Sequence, residues 1–98
     1  MTIHRVQDGD TMTLGLEGRL DTTTAGELNS VLADGLPGVE NLTLDLAALD
    51  YISSAGLRVL LVAQKLMSKK GGMRVINVND VVGEVLEVTG FADILDVR

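Results

Sequence analysis

The segment Leu42–Gly72 constrains the fold most, because it joins a strand pattern, a short loop and a long apolar helix in direct succession. In its first part, polar or smaller residues alternate with three leucines, Leu42, Leu44 and Leu46. That alternation predicts a strand with one buried face. The helix is predicted from about Ser54 to Lys70, where two glycines end it. A strand that leads directly into such a helix is typical of an α/β sheet with parallel pairs.

The N-terminal part of the chain predicts a hairpin and a first helix. The strands Thr2–Val6 and Thr11–Glu17 are separated by an Asp-Gly-Asp turn signal. Thr24 and Glu27 fit a capping box, with Thr24 as the cap and the glutamate reaching back to it. The lone proline, Pro37, ends the helix that follows.

The C-terminal part adds a strand, a short helix and a last short strand. Met73–Val78 is the strand, Asn79 or Asp80 caps the helix, and Ile94–Val97 is the final strand. The predicted fold class is therefore α/β, with a single domain over residues 1–98. Its mixed β-sheet has helices packed on it, in the order β-β-α-β-α-β-α-β.

Composition excludes several classes of function. The 98 residues carry a formal charge of −6, which disfavours nucleic acid and anionic membrane surfaces as partners. Cysteine is absent and His4 is the only histidine, so no metal site, no cofactor and no histidine-based catalysis are expected. The longest strongly apolar stretch, Val59–Ala63, is too short to span a bilayer. No signal peptide is recognised at the N-terminus, and a cytoplasmic, non-enzymatic protein is the expectation.

Two adjacent serines, Ser53 and Ser54, lie where the loop becomes the long helix. Serine is a favoured N-cap, so a structural role accounts for at least one of them. A phosphate on the other would meet free N–H groups and the positive end of the helix dipole. A nucleophilic serine is not expected, because no base and no G-x-S-x-G motif accompany the pair. Asp21 is either a loop acid ahead of the first helix or a carboxylate near the serines.

A helical wheel divides the long helix into an expected buried face and an expected outer face. The buried face is predicted to hold Ala55, Val59, Val62, Ala63, Leu66 and Met67. On the outer side, Leu57 and Leu61 lie near Ser54 and are bordered by Arg58 and Lys65. Either these leucines form a protein-docking face, or a neighbouring loop or helix covers them.

Three segments resemble the STAS domain of anti-sigma factor antagonists. The first is Gly18-Arg19-Leu20-Asp21 followed by Thr24-Ala25, similar to the opening of the family's first helix. The second is the strand Leu42–Leu46 together with Tyr51-Ile52-Ser53-Ser54-Ala55-Gly56-Leu57, similar to the family's phosphorylation loop. The third is Asn77–Val81 with Thr89-Gly90-Phe91. The likeness covers almost the whole chain, and its central loop is the specific part.

The resemblance implies a partner switch in bacterial transcription regulation. The unmodified antagonist binds an anti-sigma factor that is also a GHKL-type serine kinase, and a sigma factor is released. Phosphorylation on the loop serine ends that binding, and a PP2C-type phosphatase restores it. Carried onto this chain, the resemblance implies Ser54 as the phosphoacceptor, with Asp21, Ala55, Gly56 and Arg58 near it.

The implied docking surface comprises Ser53, Ser54, Leu57, Arg58, Leu61 and Lys65. Well-known members have Asp before and Ser or Thr after the acceptor, whereas Ser53 and Ala55 fill those places here. Ser53 is therefore a second candidate acceptor. The family's usual C-terminal helix is expected to be short or missing. An alternative within the family is an accessory subunit of a membrane transport complex, without a phosphoserine switch.

Overall fold

Five strands and four helices alternate along the chain in the computed structural model, which describes residues 1–98. In chain order they are β1 (Thr2–Asp8), β2 (Thr11–Leu20), α1 (Ala25–Gly35), β3 (Asn41–Ile52), α2 (Ser54–Met67), β4 (Gly72–Ile76), α3 (Asp80–Val88), α4 (Phe91–Ile94) and β5 (Asp96–Val97). The predicted α/β class is confirmed. The order differs from the prediction by the short helix α4, which precedes β5.

The strands form one mixed sheet in the order β1-β2-β3-β4-β5. β1 pairs with β2 as the predicted antiparallel hairpin, and the other neighbours are parallel. Helices make the connections between the parallel strands. Because β2 and β3 run in the same direction, their last residues, Leu20 and Ile52, are register partners. The segments that lead into α1 and α2 therefore begin side by side.

The core lies between one face of the sheet and the helices. Leu14 of β2 and Leu44 of β3 are fully buried, whereas the residues beside them in sequence, such as Thr13 and Thr43, are only half-buried. Helix α2 closes the core with Leu60, which is also fully buried. Each leucine removed from water in this way contributes about 1.5–3 kcal/mol to folding. The buried set holds no aromatic side chain, so aliphatic packing positions the helices.

Strand β3 extends well beyond the three leucines that predicted it. It continues to Ile52, and its pairing with β2 contains register shifts between Gly15 and Glu17 and between Gly18 and Arg19. The buried residues of its second half, Leu49 and Ile52, follow Leu46 at intervals of three rather than two. A search for strict alternation misses this half, which carries the chain directly to the two serines.

The predicted capping box at the start of α1 is wrong. Thr24 makes no side-chain cap bond to the helix. Its hydroxyl donates to the carbonyl of Arg19 at 2.7 Å and accepts from the N–H of Asp21 at 2.9 Å. The carboxylate of Asp21 accepts the N–H groups of Thr23 and Thr24 instead, at 3.0 and 3.2 Å. Asp21 thus satisfies the N–H of Thr24, one of the two donors that a capping box would have used, and the other, the N–H of Glu27, donates to the carbonyl of Thr24 at 3.0 Å.

None of the helices reaches the length and apolar content that a membrane-spanning helix needs.

Candidate functional site

Ser53 is the N-cap of α2 and is held by three hydrogen bonds. Its backbone is extended, with φ −100° and ψ 175°, and its N–H donates to the carbonyl of Leu20 at 2.9 Å. Its hydroxyl oxygen accepts from the N–H of Gly56 at 3.4 Å, and its carbonyl accepts from the N–H of Leu57 at 2.9 Å. The structural role predicted for at least one of the two serines therefore falls to Ser53.

Ser54 is the first residue of α2, and its side chain is exposed. Its hydroxyl takes part in no hydrogen bond, because Ser53 performs the capping. The N–H groups of Ser54 and Ala55 precede the first possible acceptor within the helix, so they add to the positive potential at this end. The junction thus combines a bound serine, an unbound serine and an electropositive helix start.

Gly56 allows α2 to begin close to the sheet. A Cβ built on this residue would lie 2.6 Å from Cγ of Leu20 and 3.1 Å from Cγ1 of Ile52. Both neighbours are core residues, with 0 % and 2 % of their surface exposed. The glycine between the serines and the first leucine of α2 is therefore a packing residue, and it fixes where Ser54 is presented.

Asp21 lies beside the serine junction, since it follows Leu20, whose carbonyl binds the N–H of Ser53. The hydroxyl of Thr23 donates to its Oδ1 at 2.7 Å. This bond, with the backbone and side-chain bonds from Thr23 and Thr24, holds the pKa of the carboxyl below its usual range. Asp21 is therefore ionised at neutral pH and close to the loop. The structure confirms Asp21 as a loop acid ahead of α1, with its carboxylate bound to Thr23 and Thr24, whereas a role beside a phosphorylated serine stays a prediction.

Two further residues at this edge were not among the predicted site residues. The guanidinium of Arg19 lies 4.3 Å from the ring centroid of Tyr51, its register partner across β2 and β3. Nε of Arg19 also lies 3.6 Å from Oδ2 of Asp21. A cation stacked on an aromatic ring is held in place at the surface. Only the register of the bulged strands brings these residues together, so local sequence patterns do not reveal them.

The predicted faces of α2 require a correction. Leu57 is only 5 % exposed, and Leu60 is fully buried, so Leu57 belongs to the core and not to a docking surface. Conversely, Val62 and Leu66 are 46 % and 51 % exposed, although the wheel assigned both to the buried face. Val59, Ala63 and Met67 are buried as predicted, so the wheel placed the buried sector partly correctly but rotated it toward Val62 and Leu66, on a helix that is apolar on most of its circumference.

The outward side of α2 is defined by five exposed residues, which we call the α2 outer face: Ser54, Arg58, Val62, Lys65 and Leu66. Ser54, Arg58, Val62 and Leu66 follow one another at intervals of four, so they form one stripe that starts at the free hydroxyl. Leu61 and Ala55 are half-buried at its margins. Of the surface predicted from the sequence, the structure brings Ser54, Arg58 and Lys65 to the exterior and withdraws Leu57.

Known proteins were compared with the sequence and with the structure. A family model described as "Mlab, STAS domain" matches residues 3–96. BtrV of Bordetella bronchiseptica, by its name a candidate anti-sigma factor antagonist, is 42 % identical over 84 residues, which are 84 % of this chain and 72 % of BtrV. The crystal structure of an anti-sigma factor antagonist from Mycobacterium paratuberculosis has a TM-score of 0.88 at 20 % identity, covering 99 % of this chain and 84 % of the other.

The anti-sigma factor antagonist SpoIIAA is also similar in structure. Its unphosphorylated form gives a TM-score of 0.85 at 15 % identity, covering 99 % of this chain and 88 % of that one. The phosphorylated form of the Bacillus protein gives 0.76 at 14 % identity, covering 99 % and 91 %. At such identities these structures establish the fold alone. The family model spans nearly all of the sequence, and the similarity to BtrV is strong over most of it. This chain therefore belongs to the STAS domain family, as the three sequence segments predicted.

Proposed function

We propose that this protein is an anti-sigma factor antagonist that works as a phosphorylation switch in the cytoplasm. Its unphosphorylated form binds an anti-sigma factor that is also a GHKL-type serine kinase, so that a sigma factor is released. Phosphorylation of Ser54 ends the association, and a PP2C-type phosphatase reverses it. The protein itself catalyses no reaction in this scheme. The names of BtrV and SpoIIAA support the antagonist role, and the phosphorylated form of SpoIIAA supports the switch.

The observation that carries the proposal is that the two serine hydroxyls have different roles. Ser53 uses its hydroxyl to cap α2, whereas the hydroxyl of Ser54 is exposed and free to react. A phosphate on Ser54 would add about −1.5 to −2 charges at a helix start that bears no acid in its first turn. Arg58 follows one turn later on the same side. The fold therefore tolerates the modification, and the cap remains intact.

The same phosphate opposes docking on the α2 outer face. An interface that covers Ser54 would have to remove water from a dianion, which costs several kcal/mol unless the partner supplies cations. A loss of about 3 kcal/mol weakens binding roughly a hundredfold. The exposed Val62 and Leu66 supply the apolar area that the unmodified protein offers a partner, in the role that the sequence assigned to Leu57.

The proposal is tested by affinity capture from cells that produce the protein, with wild type, Ser54→Ala and Ser54→Asp as baits. Mass spectrometry then identifies partners and phosphorylated residues together. We expect a GHKL-type kinase on wild type and Ser54→Ala, its loss on Ser54→Asp, and phosphate on Ser54 of the wild type. Ser53→Ala is the matched control, because it removes the neighbouring hydroxyl and leaves the proposed acceptor in place.

Three results would contradict the proposal in different ways. Phosphate found on Ser53 rather than Ser54 would show that the capping serine is the phosphoacceptor. Equal binding of the kinase to Ser54→Ala and Ser54→Asp would refute the switch. Subunits of a membrane transporter held equally by all baits, without phosphoserine, would favour the alternative of an accessory subunit of a transport complex.

A further inference from the structure

Helix α3 presents an outward side that is both apolar and acidic, and no other part of the chain covers it. Five exposed residues define this α3 outer face: Asp80, Val81, Glu84, Glu87 and Val88. Val81 and Val88 are 58 % and 81 % exposed, and with Glu84 they border a surface groove of about 320 Å³. The chain forms three ion pairs, and none of them involves an acid of α3.

Helix α2 and the turn after it have the opposite character. No acid occurs between Tyr51 and Asp80, whereas the bases in this stretch are Arg58, Lys65, Lys69, Lys70 and Arg74. None of these bases takes part in an ion pair. The α2 outer face therefore combines two half-exposed aliphatic side chains, Val62 and Leu66, with positive charge in a protein whose net charge is −6.

The two outer faces match in charge, in apolar content and in length. The part of α2 from Arg58 to Leu66 and the whole of α3 from Asp80 to Val88 each span eight residue steps, about 12 Å. Both faces are exposed in the same molecule, so they do not meet within one chain. The α2 outer face of a second copy therefore has the chemistry that fits the α3 outer face.

We propose that the chain associates with itself through these faces, with the α2 outer face of one copy against the α3 outer face of the other. If a two-fold axis relates the copies, both faces of both copies are covered and association stops at a dimer. Complementary charge then fixes which faces meet, and the four valine and leucine side chains supply the apolar contact. The proposal uses the same α2 outer face as the proposed function, so self-association and docking of a kinase would exclude one another. Sedimentation of the purified protein tests self-association without a kinase or a phosphate.

Sedimentation velocity of the purified 98-residue protein over a range of concentrations tests the proposal. The wild type should show a dimer that dissociates on dilution. Two double variants reverse the charge of one face each: Arg58→Glu with Lys65→Glu, and Glu84→Lys with Glu87→Lys. Each variant alone brings like charges together and should weaken association by about tenfold or more. An equimolar mixture of the two restores opposite charges and should recover the dimer.

If only the net charge of the protein controlled self-association, the α3 double variant would give the opposite result. The experiment therefore distinguishes net charge from the pairing of the two faces. Each glutamate-to-lysine change adds two positive charges, so the α3 double variant has a formal charge of −2 in place of −6. Weaker overall repulsion would make that variant associate more than wild type, whereas the proposal requires less. The double variant Asp8→Lys with Asp10→Lys has the same formal charge, and its exposed sites at the turn between β1 and β2 belong to neither outer face, so it should behave as wild type. A monomeric wild type, or a mixture that stays monomeric, would overturn the proposal.

Discussion

Replacement of Gly56 by alanine should destabilise the protein, although alanine is the better helix former. The added methyl group would lie 2.6 Å from Cγ and 3.0 Å from Cδ2 of Leu20, and 3.1 Å from Cγ1 of Ile52. Cγ is the branch point of a fully buried leucine, so this atom cannot move aside alone. Either Leu20 changes rotamer inside the core, or the start of α2 moves away from the sheet.

The expected change in the stability of Gly56→Ala is the balance of two opposing effects. The change from glycine to alanine inside a helix contributes up to about 1 kcal/mol of stability. Overpacking of a well-filled core by one methyl group costs about 1–3 kcal/mol, and contacts this short place Gly56 in the upper part of that range. We therefore expect a net loss of about 1–2 kcal/mol. For a domain of this size each kcal/mol lowers Tm by roughly 4–8 °C.

Urea denaturation followed by circular dichroism measures this loss, and Gly26→Ala provides a matched control. Gly26 also lies near the start of a helix, α1, but a Cβ there has no neighbour within 4 Å. That variant should be neutral or more stable by up to about 1 kcal/mol. If Gly56→Ala is as stable as Gly26→Ala, with unchanged m values, the packing argument is wrong.

The same denaturation assay, applied to other substitutions, distinguishes the contributions of buried, capping and exposed residues to stability. Leu57→Ala should cost about 2–5 kcal/mol because the side chain is buried, whereas Leu66→Ala should stay within about 0.5 kcal/mol; equal losses would contradict the corrected faces of α2. Ser53→Ala should cost about 1 kcal/mol through loss of the cap, and an unchanged midpoint would show that its bond to the helix contributes nothing. Hydrogen bonds lower the pKa of Asp21 in the folded state, so its contribution to stability is complete above the unfolded pKa near 3.8 and is lost as pH falls through the lower folded value. Asp21→Asn should therefore reduce stability at pH 6, and the difference from wild type should shrink below that pKa; a difference independent of pH would refute the assignment.

The fold was predictable because most strands and helices show a clear hydrophobic periodicity or a clear terminating residue. Alternation identified β2 and the first half of β3, and glycine or proline marked the ends of α1 and α3, whereas α2 ends at Met67, before the predicted stop at Gly71. The second half of β3 was missed because its register shifts space the buried residues by three. Helix α4 was missed as well, since its four residues are too few to show a helical period.

The faces of α2 were not predictable from periodicity, and the reason lies in its composition. Apolar residues occupy most positions of the helix, so two sectors of the wheel are almost equally hydrophobic. The structure selects the sector that contains Gly56 and Leu60, because only there can the helix start lie against Leu20 and Ile52. A long-range contact thus decides which side is buried, and a wheel contains no information about such contacts.

The different roles of the two serines follow from the same geometry. Ser53 must cap α2, because its N–H is held by the carbonyl of Leu20 and its hydroxyl then points at the N–H of Gly56. The next residue cannot share that bond, so its hydroxyl is turned to solvent at the positive end of the helix. A charge added to Ser54 therefore changes the surface seen by a partner while the bonds that hold α2 to the sheet stay in place. Phosphate on Ser53 would instead place the charge on the oxygen that accepts from the N–H of Gly56.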